Sequence, residues 1–508
     1  MVFICILSLA GFYACDFSAN PGGGCGGGTT GTGSVTDTDT DGGNKDDGND
    51  IGGDDSIESS IQLNGSSIAA ESADAVVSGT VVTITAAGTY NISGSLLNGQ
   101  IIVDAPDTDV VRLNLNGVNI KCSNSAPIFI RNADKTIITL GDNTNNTLTD
   151  GSSYVFASGE DEPNAALFSK DDLTIKGDGS LTVTGNYNDG INSKNDLRIK
   201  GGNITVKAAD DGLRGKDSIK ISGGNIAVTA GDDGLKSDNE EEAERGIILI
   251  EDGNLTISSG DDAIMAHTSV QIDGGDIRIT KSYEGIESTA VIINGGTIRL
   301  ASSDDGINAV DKDSSGSSGG WPPAGEMFSA NAYVQINGGY LAMNANGDGL
   351  DSNGSMEMTG GTVIVHGPTA NNNGPMDYGA FDISGGFIVA VGSAGMAQAA
   401  GSSSSSQNAL LLNFSSAQEA GTLINIQTSS GKSILTLAPQ KRFQSVTFSS
   451  PELVRGTSYV VYLGGRAGGK VQDGLYLDGS YTPGNQYTTF TVSGALTKLG
   501  STGGFRPF

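Results

Sequence analysis

The sequence predicts an all-β protein built as a parallel β-helix, a solenoid with coils of about 22 residues, followed by a small antiparallel β module. A six-residue motif recurs along the chain, with two mostly acidic positions, Gly or Ala, an apolar residue, a variable residue and a small residue. Its copies lie at 188–193, 210–215, 232–237, 261–266, 283–288, 304–309 and 347–352. The second position repeats at intervals of 22, 22, 29, 22, 21 and 43 residues, and the two long intervals carry insertions.

Apolar residues alternate between the copies of the motif. Ile219 and Ile221 precede the glycine pair 223–224, and Ile226 and Val228 follow it. The same columns recur in register in the later copies. Alternation with a period of two, interrupted by glycine, is typical of strands and turns. We therefore expect three short strands in each coil around a narrow core.

Composition limits the partners of the chain. The net charge is −30, from 28 Lys and Arg against 58 Asp and Glu. Such a charge excludes nucleic acid and anionic membrane surfaces as partners, because phosphate binding needs an excess of basic residues, and it favours cations. Zinc and iron are not expected, since the only histidines are His267 and His366. No disulfide framework is predicted from the four cysteines, Cys5, Cys15, Cys25 and Cys122.

Residues 1–15 form a short apolar run that ends at Cys15. The run predicts a signal peptide, either of the lipoprotein type, in which Cys15 is lipidated, or a plain secretory signal with an incidental cysteine. Both versions export the protein, to the cell surface or the medium, and any membrane contact is through an N-terminal lipid. Residues 16–56 are rich in Gly, Ser, Thr and Asp, so we expect a flexible tether.

The remaining chain divides by its patterns. We predict the parallel β-helix over 57–397, with an N-terminal cap and irregular coils at 57–165. A linker follows at 398–409, and a C-terminal β module at 410–508 either caps the helix or sits beside it. Two insertions, at 239–245 and near 311–331, are expected to leave the solenoid as loops on one face. We expect the protein to be a monomer.

The acidic motif positions predict a ladder of carboxylates. Equivalent residues of adjacent coils stack about 4.8 Å apart, and two charges about 5 Å apart repel by roughly 3 kcal/mol at an effective dielectric of 20. Calcium would offset this repulsion, since it takes six to eight oxygen ligands. The alternative is a tight turn, in which Asp bonds local backbone and Gly supplies a positive φ; the doubled acids favour calcium. The candidate ligands are Asp189, Asp210, Asp211, Asp232, Asp233, Asp261, Asp262, Glu284, Asp304, Asp305 and Asp348.

A column of outward residues follows the acids: Asn192, Arg214, Lys236, Met265, Glu287, Asn308 and Asp351. Beside calcium, the basic members could bind an acidic sugar, or they could simply neutralise the aspartates. Aromatic rings near the motif could stack on sugars or pack against the protein. The candidate glycan-binding residues are Lys194, Arg214, Lys216, Lys236, Tyr187, Tyr283 and Trp321.

The combined pattern resembles the bacterial carbohydrate-binding domain-containing proteins. The resemblance covers residues 57 to about 500 and is carried by 83–94, 115–120, 124–128, the Asp-Asp-Gly repeats and 346–353. It implies a right-handed parallel β-helix similar in fold to pectate lyases. It also implies calcium on the acidic turns and binding of a plant-type or acidic polysaccharide.

Three functions follow from these features. The first is calcium-dependent, non-catalytic binding of polysaccharide. The second is a polysaccharide lyase, in which calcium acidifies the proton beside a uronate carboxylate and Arg214 or Lys236 removes it. The third is an adhesin or structural stalk. We favour binding, because the sequence holds a repeated ladder and no single irregular coil marked as a catalytic centre.

Overall fold

A computed structural model describes residues 58–312 and 329–500 of the chain. The predicted signal at 1–15 with Cys15, the tether at 16–56 and Trp321 lie outside this part. The described residues confirm the predicted fold class: they form strands and turns and no α-helix, and most strands wind into a parallel solenoid. No helix in this part is long and apolar enough to cross a membrane.

Each coil contributes one strand to each of three parallel sheets. The first sheet carries the motif and holds Val81–Ile84, Gln100–Asp104, Ile128–Asn132, Ala165–Ser169, Asp189–Ser193, Leu213–Gly215, Leu235–Ser237, Ile264–Ala266, Ile286–Ser288 and Ile307–Ala309. The second sheet holds Lys135–Leu140, Asp172–Gly177, Asp196–Ile199, Ser218–Ile221, Ile247–Ile250, Ser269–Ile272, Ala290–Ile293 and Tyr333–Ile336. The third sheet holds Asn145–Asp150, Ser180–Gly185, Asn203–Ala208, Asn225–Thr229, Asn254–Ser258, Asp276–Lys281, Thr297–Ser302, Tyr340–Ala345, Thr362–His366 and Phe387–Gly392. Longer strands run through two sheets: Glu58–Gly65, Gly88–Leu96 and Val110–Cys122 near the N-terminal end, and Leu350–Met358 and Met376–Ile383 near the other end.

The core lies inside the three sheets. Leu213, Ile219 and Ile226 of one coil are all buried, and they stack on Leu235, Ile248 and Leu255 of the next. The predicted columns therefore lie in register. Each coil turns from the second to the third sheet at a glycine such as Gly224, whose φ of 99° lies in the left-handed region that favours glycine.

The N-terminal end of the solenoid is closed by antiparallel pairs. Ile68–Ala70 folds back on Glu58–Gly65, and Ala75–Ser78 pairs with Val81–Ile84. These pairs cover the edge that the first coils would otherwise expose.

The C-terminal module both extends the third sheet and covers it. Phe443–Ser449 pairs antiparallel with Phe387–Gly392 and with Ala409–Gln418, and Ala409–Gln418 also pairs with Leu496–Leu499. A second sheet holds Ile424–Thr428, Ser433–Leu437, Ser458–Leu463, Val471–Gln472, Leu475–Tyr476 and Asn485–Thr491, and a short ribbon joins Arg466–Ala467 to Tyr481–Thr482. Its buried Ile424 and Leu435 share one core with Ile364 and Val389, which point outward from the third sheet. The module therefore covers the last coils of the solenoid from the side.

Candidate functional site

The second acidic position of the motif forms a continuous inner column. Its side chains accept hydrogen bonds from the backbone of the next coil: the N–H of Asp233 donates to Asp211 Oδ1 (3.2 Å) and the N–H of Asp262 to Asp233 Oδ1 (3.0 Å). Further along the column, the N–H groups of Glu284, Asp348 and Gly374 donate to carboxylates in the same way. The inner carboxylates thus tie neighbouring coils together. The members of the column are Asp189, Asp211, Asp233, Asp262, Glu284, Asp305 and Asp348.

The first acidic position forms an outer column that is more exposed. Backbone hydrogen bonds link its members from coil to coil, for example from Asp232 N–H to Asp210 O (3.2 Å) and from Asp261 N–H to Asp232 O (3.1 Å). Tyr283 occupies this column between Asp261 and Asp304. The five motifs from 188–193 to 283–288 therefore each present one buried and one more accessible side chain at the same turn.

The glycine after the acids has a different role from the one expected of a tight turn. Gly190, Gly212 and Gly234 do not adopt a positive φ. A Cβ on Gly212 would lie 2.2 Å from Val228 Cγ1 and 2.6 Å from Gly234 O, so a side chain is excluded by the next coil. The tight-turn alternative, in which glycine supplies a positive φ and Asp bonds its own turn, does not fit these coils: close packing between coils selects glycine, and the inner aspartates bond the neighbouring coil.

Burial makes the inner carboxylates hard to ionise. Burial raises the pKa of Asp262 to about 8, with the Glu284 and Asp233 carboxylates adding to the effect. Burial likewise raises the pKa of Asp211 to about 7, although Lys236 opposes the change. The pKa values of Asp305 and Asp348 are also raised to about 7, chiefly by burial. The column therefore favours protons or cations at neutral pH.

Carboxylate oxygens converge at three places in these columns. In each group, one oxygen from every member lies within 4.8 Å of the others. We name them the first, middle and third clusters: Asp189, Asp210 and Asp211; then Asp211, Asp232 and Asp233; then Asp262, Glu284 and Glu287. Two clusters use predicted residues alone, whereas the third adds Glu287, which the sequence placed only in the outward column.

The middle cluster holds a cation from the protein itself. Lys236 Nζ lies 2.8 Å from Asp233 Oδ2 and 3.4 Å from Asp211 Oδ1 and from Asp232 Oδ2. Burial alone would lower the pKa of Lys236, but the carboxylates of Asp211 and Asp233 raise it above its usual value. One coil earlier, Arg214 lies 2.5 Å from Asp238 and 3.7 Å from Asp211. In these contacts both side chains neutralise aspartates.

The first cluster contains buried oxygens that have no hydrogen-bond partner. Asp189 is fully buried, and its Oδ1 is unpartnered, as is Oδ1 of the neighbouring Asn192. The amide of Asn192 donates to Asp189 Oδ2 at 2.6 Å, so the side chain is fixed against the carboxylate. Unpartnered buried oxygens are costly unless a cation or water meets them.

The third cluster repeats this arrangement three coils further along. Asn308 Nδ2 donates to Glu284 Oε2 (2.9 Å) and to Glu287 Oε2 (3.2 Å), while Asn308 Oδ1 is buried and unpartnered. Lys312 contacts Glu287 from the edge of the cluster. Sequence reasoning had not assigned Asn192 or Asn308 to the metal site; their shared place in the outward column was the signal available.

A further acidic group follows near the end of the solenoid. Asp351 lies in register with Asp377, and burial together with Asp305, Asp348 and Asp377 raises the pKa of Asp351 to about 8. Within 58–312 and 329–500, no ion pair joins these four carboxylates to a lysine or arginine. Asp351 and Asp377 were not predicted as site residues, and Asp377 does not lie in a copy of the motif.

The remaining predicted glycan residues lie around these clusters. The Tyr187 ring stacks on Tyr154 (4.3 Å between centroids) and is 36% exposed, whereas Tyr283 is 47% exposed. A hydrogen bond with Asp304 raises the pKa of Tyr283 to about 12. Two half-exposed lysines pair with insertion or loop acids: Lys194 with Glu162 (2.9 Å) and Lys216 with Glu241 (3.8 Å).

Comparison with known proteins gives a family match, a similar protein and a similar solved structure. Residues 78–321 match the family described as carbohydrate-binding domain-containing protein. A protein of that description from Acetivibrio thermocellus is 46% identical over 226 residues, which are 44% of this chain and 79% of the relative. A solved structure, the gadolinium derivative of a polysaccharide lyase-like protein from C. thermocellum, is 40% identical and aligns with 50% of this chain and 96% of its own, at a TM-score of 0.43.

Proposed function

This chain belongs to the family of carbohydrate-binding domain-containing proteins, and from that premise we propose that calcium on its acidic ladder mediates binding of an acidic or plant cell-wall polysaccharide. Carbohydrate is the partner that the family description names. The observation that carries the calcium step is the set of unpartnered, buried oxygens in the first and third clusters.

The chemistry of both clusters fits calcium. Every candidate donor is a carboxylate or amide oxygen, which suits a hard divalent cation. In the first cluster the ligands are Asp189, Asp210, Asp211 and Asn192 Oδ1; in the third they are Asp262, Glu284, Glu287 and Asn308 Oδ1. Bound calcium would supply positive charge for a glycan carboxylate at a surface that is otherwise acidic.

The outer column is the face that meets the glycan in this proposal. Asp210 and Asp261 are accessible beside the buried acids, and the exposed rings of Tyr187 and Tyr283 flank the first and third clusters in the chain. Tyrosine offers sugar an apolar face together with a hydroxyl group. Lys194 and Lys216 lie on the same coils as the first cluster, are half-exposed, and are the basic contacts for a uronate in this proposal.

We place this binding outside the cell. The signal predicted at 1–15 would export the chain, and lipidation at Cys15 would leave a monomeric solenoid on the cell surface at the end of the 16–56 tether. The composition of 16–56 supports a spacer between the anchor and the binding face.

Binding without catalysis fits the described contacts better than lyase chemistry. A lyase base must lose its proton near neutral pH. Lys236 is held by three aspartates that raise its pKa, and Arg214 is bound to Asp238 and Asp211. Both candidate bases are therefore stabilised in the protonated form.

A retention assay tests the proposal. The full chain is applied to insoluble polygalacturonate with calcium or with chelator, while absorbance at 235 nm reports unsaturated product. We expect calcium-dependent retention at constant absorbance. Asp262→Asn should weaken retention about tenfold, and the exposed Asp276→Asn is the matched control.

Three results would reject the proposal. A calcium-dependent rise in absorbance would assign the lyase function instead. Retention that ignores calcium would remove the metal from the site. No retention of any acidic or cell-wall polysaccharide would leave the ladder as the stabiliser of a structural stalk.

A further inference from the structure

The outward face of the third sheet changes character along one column. Thr205, Ala227 and Thr256 are small; Arg278 and Arg299 follow on successive coils; then Ala342, Ile364 and Val389 continue the column. Ile364 and Val389 are buried under the C-terminal module, whereas Arg278 is exposed. The two arginines therefore stand where the sheet emerges from beneath the module.

Arg299, the arginine nearer the covered part of the sheet, is held by a loop of the module. Arg299 Nε donates to Asp473 Oδ2 (3.0 Å), the Tyr340 hydroxyl donates to the same oxygen (2.8 Å), and the guanidinium lies 5.2 Å from the centre of the Tyr340 ring. Asp473 itself has a left-handed φ of 47°, which aspartate tolerates better than most residues. The contact therefore holds the loop in one conformation.

His366 fixes the same loop from below. Its Nδ1 accepts the backbone N–H of Gln440 (3.3 Å), so its Nε2 carries the proton and donates to Asp473 O (2.9 Å). Burial lowers the pKa of His366, which keeps the ring neutral. These hydrogen bonds join two loops of the module, around Gln440 and Asp473, to the third sheet. We call the place where the loops meet the sheet the junction.

Two cavities meet at this junction. One, of about 390 Å³, is lined by Arg278, Thr280, Arg299, Asn344, Gln440 and Asp473. The other, of about 400 Å³, is lined by Tyr340, Phe387, Tyr476, Ser433, Thr436 and Gln472. Both fall within the ~300–1,000 Å³ common for small-molecule sites. Tyr340 lines one cavity and bonds Asp473, which lines the other, so the cavities adjoin at that bond.

The cavity that Arg278 lines is locally cationic in a strongly acidic protein. Asp473 is the one carboxylate among its lining residues and is already bound by Arg299 and Tyr340, while Asp478 lines the adjoining cavity. In the described part of the chain, Arg278 has no ion-pair or hydrogen-bond partner. An unpaired guanidinium at the rim of a cavity presents a fork of donors that matches a carboxylate.

We propose that this junction is a second saccharide site, which takes a uronate-containing oligosaccharide without calcium. Arg278 binds the sugar carboxylate, Thr280, Asn344 and Gln440 bind hydroxyls, and the adjoining rings of Tyr340, Phe387 and Tyr476 carry the next sugar. The site rests on the proposed function only for its ligand class. Most of its residues lie after residue 321, where the family match ends.

The test is calorimetric titration of the full chain with trigalacturonate in excess chelator, where the ladder cannot hold calcium. Wild type should bind, and Arg278→Met should weaken binding about tenfold or more, because hydrogen bonds to charged groups are strong. Lys207→Met, an exposed cation of the same sheet three coils away, is the matched control and should bind as wild type. A neutral trigalactose and free acetate are titrated in parallel and should bind more weakly than trigalacturonate.

The outcomes separate this site from the ladder. If trigalacturonate does not bind in chelator, the junction site is rejected. If calcium then restores binding, the proposal of calcium-dependent binding at the ladder stands. If calcium does not restore binding, acidic oligosaccharide is rejected as the ligand of the ladder as well. Equal binding by Arg278→Met and wild type also overturns the junction site. Acetate binding as tightly as trigalacturonate would mean that Arg278 takes a simple anion, which contradicts a saccharide site.

Discussion

The middle and third clusters solve the same electrostatic problem in opposite ways. Lys236 and Glu287 occupy the same outward column, separated by Met265. In the middle cluster the column supplies an ammonium group 2.8 Å from Asp233; in the third it supplies another carboxylate beside Glu284. At one coil the outward column itself thus supplies the neutralising cation, while two coils later it supplies a further acid, and Lys312 contacts Glu287 only from the edge of the cluster.

The N-terminal coils show what the column holds where no acids stack. Phe168 is paired with Asn192 in the next coil, and Phe129 is paired with Phe168 in the coil before. Their rings are buried and meet edge to face at 5.7 Å. The column is therefore apolar at Phe129 and Phe168, before the acidic ladder begins, and becomes polar or charged along the ladder except at Met265, which ties the polar side chains to the carboxylates rather than to the solenoid as such.

The largest effect should come from Lys236→Met in calcium-free buffer. The substitution removes the ammonium but leaves Asp211 and Asp233 buried, and an unpaired buried charge costs about 3–5 kcal/mol. We expect a matching loss of unfolding free energy in urea. Calcium should then restore most of it, because the emptied middle cluster resembles the third. Lys207→Met is the surface control, and equal stability of the Lys236 variant with and without calcium would show that this cluster accepts no ion.

Calcium removal from the wild-type protein should have the next largest effect. Each ion held at 100 times its dissociation constant adds about 2.7 kcal/mol to unfolding. Differential scanning calorimetry should therefore show a lower melting temperature in chelator than in calcium, and magnesium should not substitute, since it demands a smaller octahedral shell. A melting temperature that chelator leaves unchanged would mean that the protons and lysines of the chain neutralise the ladder unaided.

The pH dependence of the chelated protein should be unusual for an acidic protein. Asp262 and Asp351 have pKa values of about 8 in the fold, against ~3.9 for unfolded aspartate. A raised carboxyl pKa means that the native state binds more protons than the unfolded state. The stabilisation is therefore complete below about pH 4 and is lost as pH rises through about 8.

Melting temperatures between pH 5 and pH 9 test this dependence. In chelator they should fall as pH rises to about 8, because each such group lowers the free energy of unfolding by about 1.4 kcal/mol per pH unit between its unfolded and folded pKa values. Calcium should flatten the fall, because it replaces the protons. A chelated protein that grows more stable towards pH 9 would contradict the burial of these acids.

Much of the fold and of the ladder followed from periodicity, because a fixed interval places equivalent residues above one another whatever their chemistry. The close packing of Gly212 could not be predicted from the sequence, since glycine in a turn motif commonly serves a positive φ, and contact with Val228 of the next coil has no local signal. The neutralising position of Lys236 also could not be read from the sequence, because a flexible side chain can turn towards acids or towards solvent. Asp377 escaped prediction because it joins the acids only through strand pairing.

The smallest expected effect comes from deleting a single amide side chain, which tests whether the third cluster holds calcium. Asn308→Ala deletes the unpartnered Oδ1 at the third cluster and leaves its three carboxylates in place. Calcium affinity at that cluster should fall about tenfold, as is common when one supporting group of a metal site is lost. Asn294→Ala, an exposed residue on a neighbouring turn, is the control. Asn192→Ala should produce the same fall at the first cluster alone, so calorimetric titration of the two variants should weaken different binding steps. If both variants bind calcium as wild type does, the amide oxygens are not ligands, and their lack of partners would have to be met by water.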